Sequence, residues 1–405
     1  PKALSYANEA LALAHSLEHK PGQAKANKNI GSINWISGNY DRSLENIKIA
    51  LKLYSELKDQ TEIGNMYNLS GLVYWNKGDY TKAENNYSHA LNTFKSIHDT
   101  DGIAKAIVNL GILNFEQGDL KSAFEHYMEA EKIKIKQDDK IFLANISTNI
   151  GIIYSKQQNY PQALLYYIRS KEINLKIGDK TGIGNSYANI GTCYFNMNML
   201  DSSLENHLRA LKYFEDTENK KGLGETHNHI GAIYSEKGKS EDALIQFKKA
   251  LAMIQEIGNK KGESTTYFNI AVIYLSDKNY EKAIIYFNES LSIAEEIHSI
   301  EKISATNYAL ASIYATLQDY QNAYKSYKQY TIYKDSIFNK ESNDKLLTLQ
   351  TQYETDKKEK EIELLTREAQ LKETKSQLLY AGITSLIIIS SLIITLQVLK
   401  SKKNK

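Results

Sequence analysis

The hydrophobic and polar positions of this chain follow a helical spacing that recurs along its length. The segment NLGILNFEQGDLKSAFEHYMEA begins at Asn109, and close variants begin at Asn149 and Asn189. In each segment, apolar residues recur at helical spacing, stop at a short polar stretch and then resume. This pattern predicts an amphipathic helix, a tight turn and a second amphipathic helix.

The pattern has a fixed period of 40 residues. A glycine or alanine marks the middle of each first helix, and small residues follow it by 12 and by 19 positions in nearly every second helix. The marker residues are Gly31, Gly71, Gly111, Gly151, Gly191, Gly231, Ala271 and Ala311. Because one helix pair cannot bury its apolar face alone, this period predicts a solenoid of stacked pairs.

Turn and capping residues mark the boundaries of the predicted helices. Gly78, Gly118 and Gly238 interrupt the first helices, and Pro161 stands near the start of a second helix, where a missing N–H does no harm. Six residues that precede first helices are predicted N-caps. They are Asp59, Asp99, Asp139, Asp179, Asn219 and Asn259.

These slots resemble the tetratricopeptide repeat. That family's small, glycine, tyrosine, alanine and aromatic positions match them in nearly every unit, over about residues 1–338. The resemblance implies an all-α solenoid (superhelix) of helical hairpins, here a partial first repeat followed by eight repeats. The usual repeat has about 34 residues, and we expect the extra length here to extend the second helix and its following turn.

The repeat rhythm stops before residues 339–377, which are rich in lysine and glutamate and contain no proline or glycine. Leu364, Leu371 and Leu378 are seven residues apart and are flanked by Ile362 and Leu365. This spacing favours a helical stalk that forms a two-stranded coiled coil, and hence a homodimer. The alternative is a solvated single helix held by local ion pairs.

Residues 378–399 form a run of 22 residues without a charge. A helix of that length spans about 30 Å, the hydrocarbon thickness of a bilayer, so the sequence predicts one transmembrane helix. Residues 400–405 form a basic tail with four lysines. Because basic residues favour the cytoplasmic side, we expect a single pass through the cytoplasmic membrane, with the repeats in the periplasm or its equivalent.

Repeats, the linker YETDKKEKEIELL and a membrane helix in this order resemble the sensory half of bacterial membrane proteins. In that family the cytoplasmic continuation is a histidine kinase or a helix-turn-helix regulator, which would lie beyond Lys405. At the other end, Pro1 falls at the opening of a second helix, so the chain begins halfway through a repeat. We therefore expect the natural N-terminus to lie upstream.

Composition argues against several classes of function. The 50 basic and 48 acidic residues are too balanced to favour a nucleic-acid surface. No cluster indicates catalysis, a metal or a cofactor, since His227 and His229 lie two apart on a helix and point to different faces. Cys193 is the only cysteine and occupies an apolar slot. We expect a binding protein with no enzyme activity in this chain.

A stripe of asparagines is the main candidate site. In the resembled family, the slot two residues before the marker glycine faces the concave groove, which implies a protein or peptide ligand there. Carboxamides donate and accept hydrogen bonds, as an extended peptide requires; alternatively, they bond to the neighbouring repeat and maintain stacking. The predicted ligand-binding residues, including those one turn earlier, are Asn29, Asn65, Asn109, Asn145, Asn149, Asn185, Asn189, His229, Asn269, Lys25 and Lys105.

The favoured function is signal reception. A protein or peptide partner would bind the concave surface, and the stalk would carry a change in dimer geometry across the membrane. The alternative is a membrane-tethered scaffold for protein assembly without an output domain.

Overall fold

The computed structural model describes residues 2–334, 362, 364–368, 370–375, 377 and 380. All regular elements within these residues are α-helices. The helices are α1 (Lys2–Ser16), α2 (Lys20–Ile36), α3 (Tyr40–Glu56), α4 (Gln60–Asn76), α5 (Tyr80–Ser96), α6 (Thr100–Glu116), α7 (Leu120–Gln137), α8 (Lys140–Lys156), α9 (Tyr160–Ile177), α10 (Lys180–Asn196), α11 (Leu200–Asp216), α12 (Lys220–Glu236), α13 (Ser240–Glu256), α14 (Lys260–Ser276), α15 (Tyr280–Glu296) and α16 (Ile300–Thr316). Residues 320–334 form α17, and the described residues from 362 to 380, called here the C-terminal segment, are also helical.

The helices stack in sequence order. Even-numbered helices are the first helices of the repeats and odd-numbered helices are the second, and each helix packs on the next one along the chain. First helices also contact the first helices of neighbouring repeats. The helical solenoid predicted from the 40-residue period is therefore confirmed.

In the repeats that carry a marker glycine, the two helices approach each other closely at that residue. A methyl group added at Gly71 would lie 2.5 Å from the ring of Tyr87, and one added at Gly231 would lie 2.6 Å from that of Phe247. Both rings are almost fully buried. The aromatic slot of the second helix therefore packs on the bare backbone of the first helix, which explains why the marker residue is small.

The predicted helix boundaries are confirmed. All six predicted caps accept a hydrogen bond from the backbone N–H three residues later, as Asp99 does from Gly102 at 3.0 Å. Pro161 lies in the first turn of α9, and Gly78 adopts a positive φ of 76° directly after α4. Local sequence thus determines where each helix starts and stops.

The extra length of the repeat is shared between its two helices. First helices such as α4 have 17 residues, second helices have 17 or 18, and the turns between them have two or three. The expectation that the second helix and its following turn would be extended is not met. Equal helices keep both layers of the solenoid the same depth.

The structure corrects the predicted fold class in one respect, the transmembrane helix. Across the described parts of the chain, none of the helices is both long enough and apolar enough to cross a bilayer. The repeat helices have at most 18 residues, and each keeps a solvent-exposed polar side. The prediction rested on the uncharged run 378–399, of which the structure describes only Tyr380, and the basic tail 400–405 lies outside the described residues.

The predicted stalk, residues 339–377, is described only in part. Its described residues, from Ile362 onward, are helical. Leu364 and Leu371 of the heptad seam are 59% and 60% exposed, and Leu378 lies outside the described residues. The coiled-coil homodimer stays a prediction.

Candidate functional site

The first helices line the inner surface of the solenoid. First helices of successive repeats contact each other, for example α4 with α6 and α10 with α12. Second helices of successive repeats make far fewer contacts with each other. In a curved stack, the layer whose members lie closest together is the concave one. The asparagine slot therefore lies on the layer in which the resemblance placed it.

The predicted site residues differ in exposure along this inner layer. Lys25, Asn29, Lys105, Asn145, Asn185 and His229 are exposed, and Asn65, Asn109, Asn149, Asn189 and Asn269 are half-buried. A ligand could therefore reach polar atoms in most repeats, but the residues do not form one continuous pocket.

Three of the predicted residues meet in one cleft between α4, α6 and α8. The cleft has a volume of about 300 Å³. Its lining residues are Asn65, Asn68, Leu69, Leu72, Lys105, Val108, Asn109 and Phe142. The cleft combines three carboxamides and one ammonium group with an apolar floor, which is a surface suited to a peptide main chain with apolar side chains.

The inner asparagines also join neighbouring repeats. The Asn109 amide donates to the Asn68 carboxamide oxygen at 3.5 Å, and the Asn269 amide donates to that of Asn228 at 3.1 Å. At these two positions the stacking role left open by the sequence is present. An asparagine has two amide hydrogens and one acceptor oxygen, so one such bond leaves it able to bind a ligand as well.

The two basic residues of the earlier slot do not converge. Lys105 lines the cleft, whereas Lys25 lies two repeats away on α2. The two lysines therefore do not share one cleft. The structure adds Asn68, Val108 and Phe142 to the site. The sequence analysis missed these three residues because the residue type at their positions varies from repeat to repeat.

His229, predicted as a variant of the asparagine slot, stacks on another imidazole. Its ring lies 4.9 Å from that of His207, with an angle of 11° between the planes. His207 is fully buried and takes the aromatic slot against Gly191, and this burial lowers its pKa to about 3. The neutral pair therefore serves packing, and no metal-binding cluster occurs among the described residues.

Three aromatic residues of the first helices and the single cysteine are part of the packing. Trp35, Trp75 and Phe115 pack against buried clusters between repeats. Cys193 is fully buried, and burial raises the pKa of its thiol to about 11. It is a small core residue and not a reactive thiol.

Sequence and structure comparisons agree with this architecture. The tetratricopeptide-repeat profile matches residues 62–136, 142–216 and 222–296, and a second profile of that repeat matches 304–331. No curated protein matches the chain in sequence.

Several solved structures share the fold at low sequence identity. The Rap conjugation gene regulator of plasmid pLS20, in complex with the Phr* peptide, is 16% identical with a TM-score of 0.57, covering 82% of this chain and 96% of that one. A Rap protein complexed with competence and sporulation factor is 15% identical with a TM-score of 0.51, covering 78% and 99%.

A third structure of this fold is a signal-transduction ATPase with a tetratricopeptide-repeat sensor from Pyrococcus horikoshii. It is 18% identical with a TM-score of 0.51, and the match covers 82% of this chain and 54% of that one. The resemblance to membrane histidine kinases finds no support in these matches. Since the repeat profile alone covers more than half of the chain, the protein belongs to the tetratricopeptide-repeat family.

Proposed function

We propose that this protein binds an extended peptide, or an extended segment of a protein, on its inner surface at the cleft between α4, α6 and α8. The observation that carries the proposal is that Asn65, Lys105 and Asn109 line this one cleft. Their amides and ammonium group can bond to a peptide main chain or an acidic side chain, and Leu72 and Val108 offer contacts to apolar side chains.

The structural neighbours support this proposal. Two of them were solved with a bound factor, the Phr* peptide and competence and sporulation factor. Their low sequence identity establishes a shared fold only, so the residues that would select a ligand are argued from this chain. Four further predicted residues, Asn145, Asn149, Asn185 and Asn189, continue the polar surface along α8 and α10 and would extend the contact for a longer peptide.

The test is selection from a random peptide library, followed by calorimetric titration of a selected peptide. The double variant Lys105→Ala with Asn109→Ala should weaken binding about tenfold or more, because each lost hydrogen bond is worth about 1 kcal/mol. Retained affinity in this variant would overturn the proposal.

A matched control lies on an outer groove of the same part of the solenoid. That groove, between α3, α4 and α5, is lined by Lys48 and Asn86 among others. The double variant Lys48→Ala with Asn86→Ala removes the same two residue types and should leave affinity unchanged.

We further propose that binding acts as a signal rather than as assembly on a rigid scaffold. Occupying a cleft that spans three first helices would change the curvature of the stack, because each repeat contacts only its neighbours. Small-angle X-ray scattering of the chain with and without a selected peptide tests this. A change in the radius of gyration is expected, and identical profiles at saturation would favour the scaffold.

A further inference from the structure

The outer face of α7 differs from that of every other second helix in the repeats. Leu120, Phe124 and Met128 lie 9, 13 and 17 positions after Gly111 and are 5%, 2% and 1% exposed. The equivalent positions of α3, α5, α9, α11, α13 and α15 are half-buried or exposed throughout. Leu208, for example, is the counterpart of Met128 and is 49% exposed.

The burial extends to the neighbouring helices. Tyr154 of α8 and Tyr166 of α9 are 2% and 4% exposed, whereas the tyrosines in the same two slots of other repeats, such as Tyr74, Tyr194 and Tyr286, are only half-buried. These residues line an apolar groove over α7, α8 and α9, and their burial shows that another part of the chain covers it. We call this the outer groove of α7–α9.

The residue that fills this groove is Ile362 of the C-terminal segment. It is 4% exposed and belongs to the same buried cluster as Phe124, Met128 and Tyr166. Ile362 lies about 200 positions after the groove in the sequence. Its burial there is therefore a tertiary contact and not a local one.

The C-terminal segment presents two different faces. Ile362 is buried, and Leu365 and Thr366 are half-buried, whereas Leu364 and Leu371 are mostly exposed. Residues three and four apart share one side of a helix, so Ile362, Leu365 and Thr366 form one side. The exposed leucines lie on the other side.

The chain can make this contact within one molecule. The 27 residues between Lys334 and Ile362 can reach up to roughly 90 Å when extended. Eight consecutive helix-to-helix steps lead from α9 to α17, so at an interaxial distance of about 10 Å per step the two helices lie at most roughly 80 Å apart.

We propose that the outer groove of α7–α9 is an intramolecular docking site for the C-terminal segment, anchored by Ile362. The groove is made by repeats whose outer positions carry large apolar residues, and its occupant is an amphipathic helix of the same chain. Helix α8 contributes Ile150 and Tyr154 to this cluster and Phe142 to the inner cleft. The docking site and the inner cleft therefore share one helix.

The first test measures how far Met128 is protected from oxidation by hydrogen peroxide in the 405-residue chain. Methionine oxidation follows exposure, so Ile362→Asp should raise the rate at Met128 several-fold, as read by mass spectrometry. Leu371→Asp, on the exposed side of the same segment, should leave that rate unchanged.

Met66 of α4 is 1% exposed and far from the groove, so its unchanged protection shows that the repeats remain folded. Equal protection of Met128 in Ile362→Asp and in the natural chain would overturn the proposal.

The second test distinguishes docking within one chain from docking between two copies. Ile362→Cys combined with Met128→Cys should give an oxidised product of monomer mass, in which the two introduced cysteines are joined to each other in one chain. Leu371→Cys combined with Met128→Cys is the matched control and should not crosslink. A disulfide-linked dimer as the main product of the first pair would overturn the intramolecular assignment.

Discussion

The last turns of α5 and α7 fill the same slot with chemically opposite side chains. Phe94 of α5 is fully buried between two first helices: methyl groups added at Gly64 or Gly102 would lie 2.6 and 2.2 Å from its ring. One repeat later, Lys134 takes the slot. Its ammonium group pairs with Asp101 of α6 and, at 2.9 Å, with Asp139 at the start of α8.

Both side chains bridge the first helix of their own repeat to that of the next. Burial opposes the charge of Lys134, but pairing with Asp101 and Asp139 outweighs it and raises the lysine pKa. The ammonium group also lies 4.7 Å from the ring centre of Phe142. The difference teaches that the slot needs a group that reaches both helices, and that either an aromatic ring or a paired charge can fill it.

A second polar substitution lies beside the first. Glu131 of α7 is fully buried at a position where six other second helices carry leucine, and it pairs with Arg169 of α9. Burial raises the pKa of Glu131, and Arg169 opposes that shift. Helix α7 is thus joined to the neighbouring helices by ion pairs at two slots in which other second helices carry apolar residues.

The aromatic side of the comparison predicts the largest effect. Phe94→Ala should lower the free energy of unfolding by about 3–5 kcal/mol, because it empties a closely packed site between two repeats. Urea unfolding followed by circular dichroism measures it. A loss below about 1 kcal/mol would show that the ring does not hold the repeats together.

The buried ion pair predicts the next largest effect. Arg169→Ile leaves Glu131 buried without its partner and should cost about 3 kcal/mol, whereas Glu131→Leu with Arg169→Ile should be close to neutral. The double variant restores the residue types that α3 carries in Ile49 and Leu51. A double variant as unstable as the single one would contradict this account.

The same pair predicts a dependence on pH. Since the pKa of Glu131 in the folded chain is raised above its ordinary value of 4.5, the folded state favours the protonated form. The associated stability is present below pH 4.5 and is lost as the pH rises through the folded pKa. Acidification should therefore recover part of the loss in Arg169→Ile, but none in the double variant, and chemical unfolding at several pH values tests this.

Replacing the charge at the bridging slot predicts a smaller effect. Lys134→Met keeps the reach of the side chain, and Asp101 and Asp139 remain partly in water, so stability should change by no more than about 1 kcal/mol. A loss of about 3 kcal/mol or more would show that the ion pairs, and not the reach of the side chain, join these repeats.

Exposed ion pairs between repeats predict the smallest effect. Lys77 pairs with Asp41, whose side chain is 86% exposed. Lys77→Ala should therefore change the free energy of unfolding by less than about 1 kcal/mol. A larger loss in the urea midpoint would mean that surface pairs set the register of the stack.

The regular features could be predicted from sequence because they are local. The caps, the turn glycines and the contact of Gly71 with Tyr87 all join residues within one period of 40 residues. The substitutions of the middle repeats could not be predicted in the same way. Lys134 and Glu131 look like surface residues on a helix, and their partners Asp101 and Arg169 lie on other helices.

The candidate site was predicted in part for the same reason. The period placed Asn65, Lys105 and Asn109 on one layer, but Phe142 comes from a variable slot of the next repeat. His229 shared the slot of the asparagines and yet stacks on His207, since the partner ring lies on a different helix. The prediction for the run 378–399 rested on its length and its lack of charge alone.

Photo-crosslinking of a selected peptide locates the binding surface most directly. Benzoylphenylalanine can replace Val108 in the inner cleft, because the same slot carries Phe268 and Tyr308 in other repeats. It can also replace Leu44 in the groove between α3, α4 and α5, because that slot carries Phe124 in another repeat. Peptide binding in the inner cleft predicts a crosslink from position 108 and none from position 44. A crosslink from position 44 alone would contradict it.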